Sequence, residues 1–212
     1  MTYYSQCGED EYLNNKYFKN MRNGIFLEMG ALDGVTHSNT KFFQDTLGWN
    51  GILVEPNPVQ YTKLLLNRPL CKTYEAVVSD ILGEVEFRYF EEGMSAVSGV
   101  KDTLPPAFMP AWFDNPEYSQ LPQECKKIKT MTLTHIIRDS KVDHIDFFSL
   151  DVEGHELHVL RSFDFSVPIG LILIENNPEK QNEMKECDVI LQTHGYDCVD
   201  EFAGSKIYVK RM

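Results

Sequence analysis

The segment Asn23–Asn57, NGIFLEMGALDGVTHSNTKFFQDTLGWNGILVEPN, restricts the fold more than any other part of the chain. It holds two short apolar runs, Ile25-Phe26-Leu27 and Ile52-Leu53-Val54, each followed by a glutamate, Glu28 and Glu55. Between them lie a turn with Gly30 and Gly34 and enough residues for a helix. Strand, turn, helix and strand in that order close most simply as a right-handed parallel crossover. Such units bind ligands at the carboxyl ends of their strands. This chain puts glycines and acids there.

Gly30 and Gly34 lack a Cβ, so the backbone can turn sharply and a ligand can come close. A dinucleotide loop reads G-x-G-x-x-G and presents a pyrophosphate to a helix N-terminus. Here the turn reads Glu28-x-Gly30-x-x-Asp33-Gly34, one glycine short and carrying two carboxylates. Two carboxylates would repel a pyrophosphate. They suit a ligand with a cationic end and hydroxyl groups. Glu55 stands roughly 20 residues beyond the turn, where an acid accepts hydrogen bonds from a ribose.

Further segments extend the pattern: Ser5-Gln6-Cys7-Gly8-Glu9-Asp10, Ser38-Asn39-Thr40, Val54-Glu55-Pro56-Asn57, Thr132-Leu133, and Asp151-Val152-Glu153-Gly154-His155-Glu156-Leu157. With the glycine turn they resemble, in order from Ser5 to Leu157, the S-adenosylmethionine-dependent methyltransferases, and more narrowly the FkbM type. The resemblance implies an α/β class I methyltransferase fold, Rossmann-like, with a mostly parallel sheet closed by an antiparallel hairpin. It implies S-adenosyl-L-methionine as methyl donor, with Gln6, Asp10, Glu28, Gly30, Asp33, Gly34, Glu55, Pro56 and Asp151 around it. It puts Ser38 and Asn39 near the methionine carboxylate and Ser79 or Asp80 beside the adenine. Helix capping by Thr36 or Ser38, and first-turn acids at Glu9 and Asp10, account for some of these residues equally well.

The 212 residues suit a single domain, 1–212, with a sizeable core. Twenty basic and 32 acidic residues leave a net charge of −12. That balance disfavours nucleic acid and anionic membrane surfaces, which call for basic patches. No apolar run approaches a bilayer span, and Met1-Thr2-Tyr3-Tyr4-Ser5 lacks the basic and apolar pattern of a secretory signal. Five scattered cysteines without a C-x-x-C pair suit reduced thiols, so a cytoplasmic location is expected. Cys7 lies in a motif segment; the other four read as small buried hydrophobes.

Helices are expected over Tyr3–Asn20, Thr36–Leu47, Gln60–Asn67 with Tyr61, Leu64 and Leu65 inward, Thr134–Asp139, and Glu179–His194. Strands are expected over Thr73–Val78, Glu84–Phe90, Ile128–Leu133, Asp146–Leu150, Leu171–Ile174, Tyr196–Val199 and Lys206–Val209. Residues 91–127 carry five prolines among aromatic residues. They read as a lid, with Trp112 the candidate to stack on a sugar ring or another ring acceptor. His135 stands where the resembling family commonly has an acid, and reads as a surface residue.

Asp151 closes an apolar strand, and Glu153 and His155 follow it. An acid at that position is costly without a partner. These three are the candidates for removing a proton from an acceptor hydroxyl. Glu175-Asn176 end the next apolar run, so Asp151, Glu175 and Asn176 are expected to face one another. They form a hard-oxygen set suited to Mg²⁺ or Mn²⁺, similar in placement to the metal site of catechol-type O-methyltransferases. The resemblance favours O-methylation of a sugar or glycan hydroxyl. A polyketide or other small-molecule acceptor, and a non-catalytic binding module of the same fold, stand as alternatives.

Overall fold

The computed structural model describes residues 2–211. Its strands are β1 (Ile25–Met29), β2 (Asn50–Val54), β3 (Lys72–Tyr74), β4 (Val77–Val78), β5 (Glu84–Phe90) and β6 (Gly99–Val100), then β7 (Gln123–Met131), β8 (Ile145–Leu150), β9 (Ile169–Glu175), β10 (Tyr196–Phe202) and β11 (Ser205–Lys210). Its helices are α1 (Glu9–Leu13), α2 (Lys41–Leu47), α3 (Pro58–Asn67), α4 (Leu133–Ser140), α5 (Glu156–Arg161) and α6 (Gln181–Thr193).

Seven strands form the main sheet in the order β10-β11-β9-β8-β1-β2-β3. The pairs from β9 to β3 are parallel, and β11 runs antiparallel between β9 and β10. Chain order reverses between β1 and β8, the place where an open α/β sheet leaves a crevice. Side chains alternate across the sheet. Leu27, Ile52, Phe148 and Ile172 pack on one face with α4, α5 and α6. Phe26, Leu53, Phe147 and Leu171 pack on the other with Phe42, Phe43 and Trp49. Both faces are covered, which is why β1, β8 and β9 read as nearly unbroken apolar runs.

A second sheet, β4-β7-β5-β6, stands beside the first. The strand expected over Thr73–Val78 is therefore two. The chain leaves the main sheet after Tyr74, and Val77-Val78 pair with Thr130-Met131 of β7. Within the expected lid, β6 and the first five residues of β7 are ordered sheet, and Met109–Phe113 forms a single π-helical turn. The aromatics there pack on one another. Phe90 and Phe113 stack at 4.7 Å, and Trp112 lies 5.6 Å from Tyr118.

Other boundaries shift for local reasons. Gly8, at φ 87°, starts α1 late, and α1 passes into a π-helical turn over Asn14–Phe18. α2 begins only at Lys41, because the preceding residues form turns closed by Asp33 and Ser38. Asn57 caps α3 by accepting from the Val59 and Gln60 amides. Leu65 is exposed rather than inward, while Leu64 is buried. His135 is exposed, as read from sequence. Of the four cysteines expected to be buried, only Cys187 is; Cys125 and Cys198 are exposed and Cys71 is half-buried. Among the described residues no helix is long and apolar enough to cross a membrane.

Candidate functional site

Met29 pairs with Val54 on one side and with Leu150 on the other. The residues that follow, Gly30, Glu55 and Asp151, therefore leave three neighbouring strands at one level. A Cβ on Gly30, whose φ is 75°, would overlap the Asp151 carbonyl oxygen. Only glycine lets the exit of β1 pass so close to that of β8. Above these ends opens a cleft walled on its far side by Val77, Val78, Phe87 and Val100 of the second sheet.

Glu28 lies in the cleft floor but its carboxylate is already engaged. It accepts from Ser38 Oγ at 2.9 Å, Thr40 Oγ1 at 2.6 Å and the Asn39 amide at 2.7 Å. Burial raises its pKa, opposed by Arg68 and these hydrogen bonds. Arg68 is buried 4.0 Å from Glu28 Oε2. It donates to Gln44, to the Gly34 carbonyl at 2.9 Å, to Ser38 Oγ at 3.3 Å and to Thr40 Oγ1 at 3.1 Å, and lies 5.2 Å from the centre of the Phe26 ring. Glu28 and Arg68 thus shape the loop that forms the cleft's edge. That loop presents Asn39, whose Nδ2 donates to Ser149 Oγ at 3.0 Å while its Oδ1 is buried without a partner.

Glu55 differs. It is buried and accepts only the Leu32 and Asn57 amides, at 2.8 and 2.7 Å. Burial pushes its pKa up to about 7 against those two bonds. A carboxylate has roughly four acceptor sites, so Glu55 keeps capacity for hydroxyl donors.

At the other end, Asp151 is exposed to the cleft, while protein encloses its remaining sides. Glu153 has the backbone φ of 55°, a left-handed geometry that costs a non-glycine residue about 1–3 kcal/mol. Glu175 ends β9, whose Ile174 pairs with Leu150. One carboxylate oxygen from each of these three lies within 4.8 Å of the others. Burial, then Glu156, Glu9 and Glu28, pushes Asp151 to about 7, while a hydrogen bond shared with Glu175 lowers it; burial, then Asp151, pushes Glu175 to about 9; burial, then Asp151 and Glu175, raises Glu153 well above its ordinary range. Glu156 lies behind them, accepting the Val152 and Gly154 amides.

Of the donor contacts expected from sequence, Gln6, Glu28, Gly30, Asn39, Glu55, Pro56 and Asp151 line this cleft. Six others do not line it and are engaged elsewhere in the fold. Asp10 is buried under the N-terminal segment, accepting from the Tyr4 amide at 2.7 Å and Ser5 Oγ at 2.6 Å. Asp33 closes its own turn through the Val35 and Thr36 amides. Gly34 packs against Leu64 and Arg68, and Ser38 is spent on Glu28. Ser79 is buried behind His155, and Asp80 pairs outward with His158 at 2.6 Å.

Among the catalytic candidates, Asp151 and Glu153 face the cleft together. His155 touches its wall but is buried, with its ring nitrogens bonded to Thr103 Oγ1 at 2.9 Å and Ser79 Oγ at 3.1 Å. Burial, then His158, lowers its pKa to about 3, so it stays neutral and serves as a strut rather than a base. Trp112 is not part of the lining, because it packs inside the aromatic cluster of its own segment. Asn176 is outside the acid group; its Oδ1 accepts from Gln181 Nε2 at 3.0 Å. Glu153 takes the place expected for it.

Sequence reading missed Glu9, Arg68 and the apolar wall. Glu9 lies in the motif segment, next to the acid that was chosen. A helical step of one residue turns the side chain by about 100°, so Glu9 meets the cleft and Asp10 does not. No pattern in the sequence points to Arg68.

A family model described as "Methyltransferase FkbM domain" matches residues 28–198. Among solved structures, Methyltransferase FkbM from Methylobacillus flagellatus KT aligns with a TM-score of 0.55 at 12% identity, over 97% of this chain and 48% of that one. This chain spans about half the length of that protein. Aeropyrum pernix fibrillarin, solved with natively bound S-adenosyl-L-methionine, aligns at 0.45 and 15% identity, over 95% of this chain and 72% of its own. A TehB-like SAM-dependent methyltransferase from Corynebacterium glutamicum aligns at 0.45 and 8%, over 98% and 89%. No curated protein matches the chain.

Proposed function

The chain belongs to the FkbM methyltransferase family and has the Rossmann-like fold of the class I S-adenosylmethionine-dependent methyltransferases, and from that premise we propose that it methylates a hydroxyl oxygen of a sugar or glycan. One observation carries the reading: Asn39, whose Oδ1 is buried without a partner, and Glu55, whose two oxygens each accept one amide and keep further acceptor sites, share a single cleft with Asp151 and Glu153.

The residues suit the methyl donor. The buried, unpartnered Oδ1 of Asn39 calls for a donor such as the methionine ammonium. Glu55 has free acceptor capacity for the two ribose hydroxyls, and Pro56, Val77 and Val78 offer an apolar wall to the adenine. When bound, S-adenosylmethionine supplies a methyl group on a sulfonium, open to in-line displacement. The protein's part is to align the acceptor with that carbon and to exclude water. An acceptor hydroxyl must also lose its proton, and Asp151, exposed to the cleft, is positioned to take it.

The cleft's composition supports a neutral polyol. Gln6, Glu9, Ser95 and Ser98 line it as well, and its lining holds no lysine or arginine. Phosphorylated or nucleotide-linked acceptors would find no lysine or arginine there, and His37 is the one exposed basic side chain in the lining. Labelled donor offered to a panel of mono- and oligosaccharides is expected to label them. Asp151→Asn should lower kcat about 10²–10⁴-fold while S-adenosylhomocysteine still binds. Labelling only of polyketide or other non-sugar hydroxyls would discard the glycan assignment. Failure to bind S-adenosylhomocysteine would leave a non-catalytic module.

A further inference from the structure

We propose that Asp151, Glu153 and Glu175 form a binding site for one divalent cation of the Mg²⁺ or Mn²⁺ class. The site stands on these three side chains and does not depend on the acceptor assigned above.

Topology brings the ligands together. β8 and β9 are neighbours in parallel register, Leu150 beside Ile174, so Asp151 and Glu175 leave adjacent strand ends. The turn after β8 adds Glu153, held in a left-handed conformation. One oxygen from each lies within 4.8 Å of the others. Oxygens on one ion at roughly 2.0–2.6 Å lie at most about 4–5 Å apart, so the three need to draw in by no more than a few tenths of an ångström to about 1 Å.

A second, independent observation points to a ligand. Oε2 of Glu153 and Oε2 of Glu175 are both buried without a hydrogen-bond partner. Buried polar atoms are almost always satisfied, and buried charges are paired or coordinate metals. Among the described residues the nearest cation is Lys180, whose charge acts on Glu156 behind the group. Lys180 lies against Gly154 but pairs with Glu183 at 3.4 Å, and Arg161 pairs with Glu186 at 2.5 Å. Among the described residues no lysine, arginine or histidine forms an ion pair with any of the three. Glu156, behind the group, adds a further carboxylate. Hard carboxylate oxygens without nitrogen or sulfur neighbours select Mg²⁺, Mn²⁺ or Ca²⁺ over softer ions.

The test uses the full chain, stripped of metal, with neither donor nor acceptor present. MnCl₂ is titrated while the electron paramagnetic resonance signal of free Mn²⁺ is followed. We expect uptake of one ion per chain, half-complete below about 1 mM, and displaced by Mg²⁺. Glu175→Gln should weaken uptake at least about tenfold while S-adenosylhomocysteine binding persists, since Glu175 does not line the cleft. If that variant does not fold, Glu153→Gln on the turn is read for Mn²⁺ uptake alone, because Glu153 lines the cleft. No uptake at 1 mM overturns the proposal, as does equal uptake by wild type and both variants. A group that only takes up protons, with no Mn²⁺ bound, also overturns it. Because no methyl transfer is read, this outcome is separate from the fate of the donor and acceptor assignments.

Discussion

Glu28 and Glu55 each follow three apolar residues, yet the fold gives them different work. The Glu28 carboxylate is taken up by Ser38, Asn39 and Thr40, with Arg68 nearby. Glu55 receives two backbone amides and retains acceptor capacity toward the cleft. Hydrogen bonds to a charged group contribute about 1.5–3 kcal/mol, so Glu55→Gln should weaken S-adenosylhomocysteine binding about 10–100-fold by calorimetry. The raised pKa adds a pH dependence. Without donor, native Glu55 holds its proton to about pH 7, whereas the unfolded chain loses it near 4.5. The native state binds more protons across that window, so stability falls as pH rises from 4.5 to 7. Ribose hydroxyls donate to the ionised form, so affinity for S-adenosylhomocysteine should rise over the upper part of that window and level off above 7. Thermal melts and calorimetry at pH 5 and 8 check both trends, and Glu55→Gln should flatten the share due to this group.

At the scale of elements, α3 is tied to the cleft by the residue after its last turn. Arg68 reaches back to the Gly34 carbonyl, to Ser38 and Thr40, and to Gln44 of α2. One side chain therefore sets the loop that aims Asn39. Removing one member of a buried charged network costs about 3–5 kcal/mol. Arg68→Met should lower unfolding stability by about that amount in urea, and Arg68→Lys should recover only part, because an ammonium cannot reproduce the planar fork. A loss of less than 1 kcal/mol would place Arg68 with ordinary surface pairs. The second sheet is the element-scale feature least visible in sequence. Val77-Val78 continue the strand-like run of Thr73-Tyr74, and the change of sheet at Glu75-Ala76 follows from pairing with Thr130-Met131 far along the chain.

For the whole molecule, the cleft is a joint between two sheets. Val77, Val78, Phe87 and Val100 of the smaller sheet face the strand ends of the larger. A ligand in the cleft should therefore stabilise both. With S-adenosylhomocysteine bound, amide hydrogen exchange should slow over 95–100 as well as over 28–39. Protection confined to 28–39 would mean that the smaller sheet is not part of the donor site. Much of this architecture was legible because strand–turn–helix–strand order, period-2 burial and strand-end acids are local patterns. The antiparallel closing hairpin came from the family resemblance together with two strand-like runs near the C-terminus, Tyr196–Val199 and Lys206–Val209.

The amino-acid order by itself determined the parallel sheet, the crevice at the ends of β1, β2 and β8, and the residue types gathered there. Those features depend on apolar period and on glycine at Gly30, which neighbours in sequence settle. Tertiary structure alone decided which side chains have oxygens to spare: Glu9 rather than Asp10, Glu55 rather than Glu28, Glu153 rather than the amide of Asn176. It also turned Trp112 inward and silenced His155. The physical reason is that a polar atom's availability is what remains after its partners are counted, and those partners come from distant parts of the chain.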